Sequence, residues 1–359
     1  SDVEKKIKLA AAEQEPSWVG AGKSVGIEIW RIEKFNVVPW PKKQYGQFYD
    51  GDSYIVLDTH KSTVSEGDKL AWDVHFWLGN FTTADEAGTA AYKTVELDDL
   101  LGGMPVQHRQ VQGAEEFSFL QLFPDGVKIL EGGIDSGFKH VEGGAGAGVK
   151  DQGFVKRLFH VKGTNMRNVK SVTVPLSTKS LNEGDAFVLD AGRDVFMFHG
   201  STCSPGERIN ASKVGNDIAE NRKGGKAQVV TTDDAPEAFW TALGSADGKP
   251  AEIADNGEQP ASAAAGKRLF KLSDATGSLE FTATEEVNKG QLNSDDVFIL
   301  DAISEVFVWV GKGASPTEKL EAMPKAQQYL NELSDRSHAL PISRVVEGHE
   351  RPNFISVLG

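Results

Sequence analysis

The chain has 359 residues, enough for two or three domains of ordinary size, with 39% hydrophobic and 25% charged residues, as in soluble globular proteins. A formal charge of −14 argues against nucleic acid as the main partner, suits divalent cations, and leaves local basic patches free to matter. Cys203 is the only cysteine, which excludes an intrachain disulfide and a thiolate zinc site and fits a reducing cytoplasm.

No apolar run approaches the roughly 20 residues that cross a bilayer, and the first residues, SDVEKKIKLAAAEQE, lack a signal-peptide core. From Ile27, IEIWRIE reads as a strand. GDSYIVLDTH from Gly51 follows, an acidic residue leading a run of β-branched and aromatic residues, as in a buried strand. An inserted loop, HKSTVSEGDKLAWD, separates it from a second strand, VHFWLG. Thr83-Ala-Asp-Glu86 then has the Ser/Thr-x-x-Glu spacing of a helix N-terminus. The order recurs twice. RLFHVKG from Arg157 precedes GDAFVLD and VFMFHG, closing on Ser204-Pro-Gly-Glu207; RLFKLSD from Arg268 precedes DDVFILD and VFVWVG, closing on Ser315-Pro-Thr-Glu318. Short turns make the later pairs antiparallel hairpins, and Pro205 and Pro316 fall on the first helical residue, where proline is tolerated.

The strand-leading acids Asp52, Asp185 and Asp296 therefore each precede a helix glutamate, by 22 residues in copies two and three and by 34 in copy one. The helices show apolar spacing at Ala211, Val214 and Ile218, and at Leu320, Met323, Ala326, Leu330 and Leu333; Pro324 predicts a kink or a break. Self-similarity at this level means three copies of one unit. Gly-rich 142–153 and the Ala/Gly/Pro-rich stretch 246–266 place domains at 17–143, 154–250 and 267–359, each an α/β (α+β) unit with a mixed sheet, a long helix and a short one.

These motifs, with DEAGTAAYKTVELDDLLGG, VQHRQVQG, GGIDSGFKHV and ERINASKVGNDIAENRKGGKAQV in order, resemble the gelsolin/villin superfamily over nearly the whole chain. Three domains resemble its severin and fragmin group. The resemblance implies a monomeric, non-enzymatic protein that severs actin filaments, caps their fast-growing ends and promotes nucleation in response to calcium. A calcium-dependent actin monomer binder or side-binder that caps without severing would use the same surfaces.

Calcium takes six to eight oxygens, and a strand-end aspartate facing a first-turn glutamate offers two carboxylates. On the resemblance the sets are Asp52 and Glu86 with the carbonyls of Gly51 and Ile134; Asp185, Glu207 and Asp255 with the Gly184 carbonyl; and Asp296 with Glu318. Copy three has Asp295 in place of glycine, and its remaining ligands are open. A capping-box glutamate also serves simply as a cap. A further ion, shared with actin, is implied at Asp98 with the carbonyls of Gly103 and Pro105; alternatively Asp98-Asp99 is a solvated acidic pair at the negative end of a helix.

The resemblance also places the helix 85–101 in an actin cleft. Ala87, Ala90, Ala91 and Val95 are its candidate face, or core, and Tyr92 is the preferred exposed contact. Arg208, Lys213, Arg222, Lys223 and Lys226 of copy two suit an acidic filament side. Lys156, Arg157, Lys162, Arg167 and Lys170 are candidates for phosphoinositide head groups, or form a strand with a solvated face. No GxxxxGK[ST], HExxH or GxSxG motif supports an enzyme, and His75 and His199 read as structural.

Overall fold

The computed structural model describes residues 15–62, 69–124, 126–134, 156–163, 169–220, 222, 227–233, 236–245, 253, 266–333 and 337–358. Asp255, Arg167, Lys223, Lys226 and the Gly-rich stretch 142–153 lie outside them.

Repeat one contains β1 (Gly26–Glu33), β2 (Asn36–Pro39), β3 (Gln47–Tyr49), β4 (Ser53–Lys61), β5 (Leu70–Leu78), α1 (Ala84–Leu100), β6 (Val106–Val111), α2 (Phe117–Leu120) and β7 (Lys128–Leu130). Repeat two contains β8 (Arg157–Gly163), β9 (Val169–Val174), β10 (Ala186–Asp190), β11 (Asp194–His199), α3 (Pro205–Glu220), β12 (Gln228–Thr231) and α4 (Pro236–Leu243). In repeat three are β13 (Arg268–Ser273), β14 (Glu280–Ala283), β15 (Val297–Asp301), β16 (Val306–Val310), α5 (Pro316–Glu332), β17 (Ile342–Val346) and α6 (Pro352–Leu358).

The three sheets share one order: β2-β1-β4-β5-β6, β9-β8-β10-β11-β12 and β14-β13-β15-β16-β17, each with three antiparallel pairings followed by a parallel one. Sheets one and three join edge to edge. β17 pairs antiparallel with β6, Ser343 opposite His108 and Arg344 opposite Gln107, making one ten-stranded sheet. A local device recurs where each second hairpin strand ends. Gly79, Gly200 and Gly311 donate their N–H groups to the carbonyls of Asp52, Asp185 and Asp296. A Cβ at any of the three would lie 2.3–2.4 Å from a backbone oxygen of the facing turn, so only glycine fits.

Each long helix covers one sheet face. One apolar core runs through repeats one and three, with Ala90 and Leu97 of α1 and Ala322, Met323, Ala326, Tyr329 and Leu330 of α5 in the same cluster; α1 and α5 also pack on each other. The opposite faces bury Phe119 of α2, Phe239 and Trp240 of α4, and Phe354 of α6. Repeat two meets repeat one through Phe117 and Leu120, which pack on its α3-side core, and through the bond from Thr173 N–H to the Glu115 carbonyl.

Three expectations change. Both ends of the inserted loop are strand: β4 and β5 extend their pairing out to Lys61 opposite Leu70, because the insertion alternates well enough there to continue the ladder. α5 is not divided by Pro324. The carbonyl left without a donor belongs to Leu320, which is exposed and open to water. Leu320 itself is not on the apolar face, which centres near Ala326; Leu320 falls about 120° from it at 100° per residue, and Ala322 and Tyr329 take its place.

Candidate functional site

In each repeat the strand-leading aspartate is buried, and so is the helix glutamate: Asp52 and Glu86, Asp185 and Glu207, Asp296 and Glu318. The glutamates stand there because their helices start there. Thr83 caps the Glu86 N–H, and Ser204 and Ser315 form reciprocal boxes with Glu207 and Glu318. In repeats two and three one carboxylate oxygen of the glutamate accepts the N–H of the capping serine, Glu207 Oε2 from Ser204 and Glu318 Oε2 from Ser315.

Every aspartate faces a base on the preceding strand, always at the same register. Arg31 lies opposite Tyr54, His160 opposite Phe187 and Lys271 opposite Phe298, in each case two residues beyond the aspartate. Arg31 Nη1 is 3.4 Å from Asp52 Oδ2, His160 Nε2 is 2.8 Å from Asp185 Oδ2, and Lys271 Nζ is 2.7 Å from Asp296 Oδ2. Lys162 adds a second contact to Asp185 at 3.4 Å. The strands carrying these bases were evident as strands, and His160 and Lys271 both follow Arg-Leu-Phe, but the equivalence of Arg31 appears only when strand register is compared. Burial pushes the Asp185 carboxyl up, but the hydrogen bond and charge of His160, with Lys162, outweigh it and hold it at about 2. Burial prevails at Asp52 and leaves its carboxyl raised, despite the Ile134 N–H and Arg31.

Asp52 Oδ1 accepts the Ile134 N–H at 2.9 Å, so Ile134 does reach the site, through its amide. A Cβ on Gly133 would lie 2.4 Å from that oxygen. Ser53 and Thr82 hydroxyls bond each other at 2.7 Å, and Thr82 donates to Glu86 Oε2, linking strand to helix. Gly51 and Gly184 occupy the turns just before Asp52 and Asp185. In repeat three Asp274 supplies a carboxylate that strand pattern alone did not single out. Its N–H donates to Glu318 Oε1 at 2.9 Å and its Oδ2 accepts from Ser315. Its signal was the acidic end of RLFKLSD, adjacent to Asp296 only after β13 pairs with β15.

Asp98 is not part of a solvated pair. It is 1% exposed, salt-bridged to Arg344 of β17 and bonded by Gln107 Nε2 at 2.8 Å. Its Oδ1 is buried with no hydrogen-bond partner among the described residues. Gly103 and Pro105 form the turn that follows α1, Gly103 donating to the Asp98 carbonyl. On α1, Tyr92 is exposed, Ala87 and Val95 are half-buried, Ala91 packs on the shared core and Ala90 is buried. On α3, Arg208 and Lys213 are exposed, flanking exposed Ile209, whereas Arg222 is paired with Asp190.

The basic run of β8 and β9 forms strands whose charges are mostly engaged. Arg157 donates to the Val127 carbonyl of repeat one, Lys162 holds Asp185, and Lys156 is exposed. Lys170 is not on a solvated face: it bridges Glu116 of repeat one and Glu305 of repeat three. Around it a polar network crosses the seam. Ser343 donates to Glu305 and lies 3.2 Å from His108 Nδ1; His108 Nε2 donates to Asp73 Oδ1 at 2.6 Å; Arg351 Nη2 reaches Asp73 Oδ2 at 2.7 Å.

His75 stacks on His108 and accepts from Gln110 Nε2. Burial, aided by the charge of His108, lowers its imidazole from 6.5 to about 3. Unfolding lets it take a proton near pH 6.5, so stability is present above that pH and declines as pH falls towards 3. Between pH 7 and 5 the loss is about 2 kcal/mol. His75→Gln, which stays neutral and can still pair with Gln110, is expected to flatten this decline. Thermal melts at the two pH values check it; equal declines in both proteins would count against His75 as the source.

The gelsolin repeat matches residues 34–120, 167–238 and 282–355. The chain is 43% identical over 353 residues to actin depolymerising venom protein gelsolin 1 of Platymeris rhadamanthus, covering 94% of this chain and 90% of that protein. It is 44% identical to gelsolin of Drosophila melanogaster, again over 94% of this chain but only 42% of that protein, and 40% identical to gelsolin-like protein 1 of Lumbricus terrestris, over 87% and 82%. No helix among the described residues is long and apolar enough to cross a membrane.

Proposed function

The chain belongs to the gelsolin family, and from that premise we propose that it binds actin in the cytoplasm and severs and caps filaments under the control of calcium. The observation that carries the reading is the match along 90% of a protein named for depolymerising actin. The buried acid pair at the same place in all three repeats supports the calcium part.

The donor sets suit a hard cation by their chemistry, since the paired side chains of each repeat are buried carboxylates. Asp52 with Glu86, Asp185 with Glu207, and Asp296 with Glu318 and Asp274 would hold the ions; Asp255 would join the second set. Calcium, if bound, would supply positive charge where Arg31, His160 and Lys271 now contact the aspartates. Asp98 is a fourth position, where Arg344 now takes the carboxylate and its buried Oδ1 is unpartnered among the described residues.

The surfaces assigned to actin are α1 and α3. Tyr92 of α1 and Arg208, Ile209 and Lys213 of α3 are exposed, while the rest of α1 is partly enclosed by α5. Parting β6 from β17 would free α1. The reading is tested by imaging fluorescent actin filaments with the protein in calcium and then in chelator. Breaks along filaments in calcium alone are expected. Blocked end growth without breaks would remove severing, and no effect in either condition would overturn the reading.

A further inference from the structure

We propose that Asp58, His60 and Asp73 form a site for a divalent transition-metal ion of the zinc class, on the extended hairpin of repeat one. Asp58 and His60 are two apart on β4, and Asp73 of β5 is directly opposite Asp58, so strand register puts all three on one face. Each offers an atom within 4.8 Å of the others. His60 Nδ1 is 3.2 Å from Asp58 Oδ2, and its Nε2 is 3.7 Å from Asp73 Oδ2. Ligands around a tetrahedral zinc lie about 3.4 Å apart at bond lengths near 2.1 Å, so closure needs shifts of an ångström or so.

A second observation points to a ligand. His60 Nδ1 is buried and makes no hydrogen bond among the described residues, although a carboxylate oxygen stands beside it. The imidazole thus sits between two acids without an aligned donor contact at that nitrogen. Asp58 and His60 are 22% and 33% exposed at their side chains, which gives an ion a way in. One imidazole nitrogen and two carboxylates suit zinc or cobalt, whereas calcium favours an all-oxygen shell; this separates the site from the acid pairs of the repeats.

The surroundings complete it. His108 Nε2 holds Asp73 Oδ1, fixing the carboxylate as an outer-shell partner does. Arg351, at the start of α6, contacts Asp73 Oδ2, the oxygen facing His60. An ion there competes with Arg351 and so bears on the contact between repeats one and three. The site exists because the hairpin of repeat one is long: β10 and β15 end at Asp190 and Asp301, short of any equivalent of His60.

The test uses the full chain, stripped with chelator and then held in excess calcium to occupy the oxygen sites. It is titrated with Zn²⁺ by calorimetry and with Co²⁺ by visible absorption. Wild type is expected to bind one further ion, His60→Gln and Asp58→Asn to weaken it by about tenfold or more, and Arg351→Gln to tighten it by removing the competing cation. Circular dichroism confirms that each variant is folded. Absence of binding by wild type, or equal binding by folded His60→Gln, would overturn the site. Neither result bears on actin or calcium.

Discussion

Replacing Lys170 with methionine is expected to destabilise the assembled chain by about 3–5 kcal/mol, the usual cost of removing one partner from a buried ionic cluster. Lys170 comes from repeat two, and its two acids come from repeats one and three: Glu116, 2% exposed, and Glu305, fully buried. Burial raises both carboxyls. At Glu116 the charges of Lys170 and His108 outweigh burial and hold the group at about 2; at Glu305 burial prevails. Without the ammonium, two carboxylates remain in a space built for a cation, and they must protonate, hydrate or part. The loss is therefore expected to be smaller at pH 5 than at pH 7, because protonation relieves the stranded acids. Adding Glu116→Gln and Glu305→Gln to the Lys170→Met chain is expected to recover most of the stability, since the cost lies in unpaired charge. Urea unfolding at the two pH values measures this. A loss below about 1 kcal/mol at pH 7 would show that water already serves these acids.

Arg344→Gln is the second large effect, and it acts on the seam. Arg344 is 4% exposed and Asp98 1% exposed, and they join β17 to the end of α1 beside the pairing of Arg344 with Gln107. With the sheet closed, an unpaired Asp98 costs about 3–5 kcal/mol. Opening the β6–β17 edge lets water reach the carboxylate, so the change is expected to shift the chain towards the open arrangement. Hydrogen exchange should quicken by an order of magnitude or more at amides of β6 and β17, each 1.4 kcal/mol of lost protection being tenfold. Asp98→Asn on the same background should slow it again. On the proposed function, monomeric actin should then bind in chelator. Unchanged exchange would mean that backbone pairing alone keeps the seam closed. Fast exchange without actin binding would separate the seam from the actin surface.

The repeat was legible because its signals are local. An acidic residue before an apolar run, a closing glycine and a capping serine or threonine each depend on neighbours a few positions away, so all three hairpins and long helices could be read directly. The same holds for the paired acids: Asp52 and Glu86, with their counterparts, follow from one strand start and one helix start. Leu320 and the inserted hairpin were misread for a related reason, since periodicity over a few residues fixes an apolar stripe only to within a turn.

The bases beside the acids were not legible. His160 and Lys271 share the fourth place of RLFHVKG and RLFKLSD, but Arg31 is fifth in IEIWRIE, and antiparallel register is what makes all three equivalent beside their aspartates. Lys170 belonged to a run that read as a phosphoinositide patch or a solvated face, and Asp98 read as a ligand of an ion shared with actin or as half of a solvated pair. Both are instead enclosed by residues from other repeats, up to 246 positions away for Asp98 and Arg344.

The amino-acid sequence by itself thus determined three copies of one fold, their order, and the acids each copy buries, because hydrophobic periodicity, capping and turns are short-range. Only the tertiary structure decided that repeats one and three share a sheet, that Arg344 takes Asp98, that Lys170 joins all three repeats, and that Asp58, His60 and Asp73 converge. Those are pairings of strand edges and charges between distant segments, and no local pattern encodes which edge meets which.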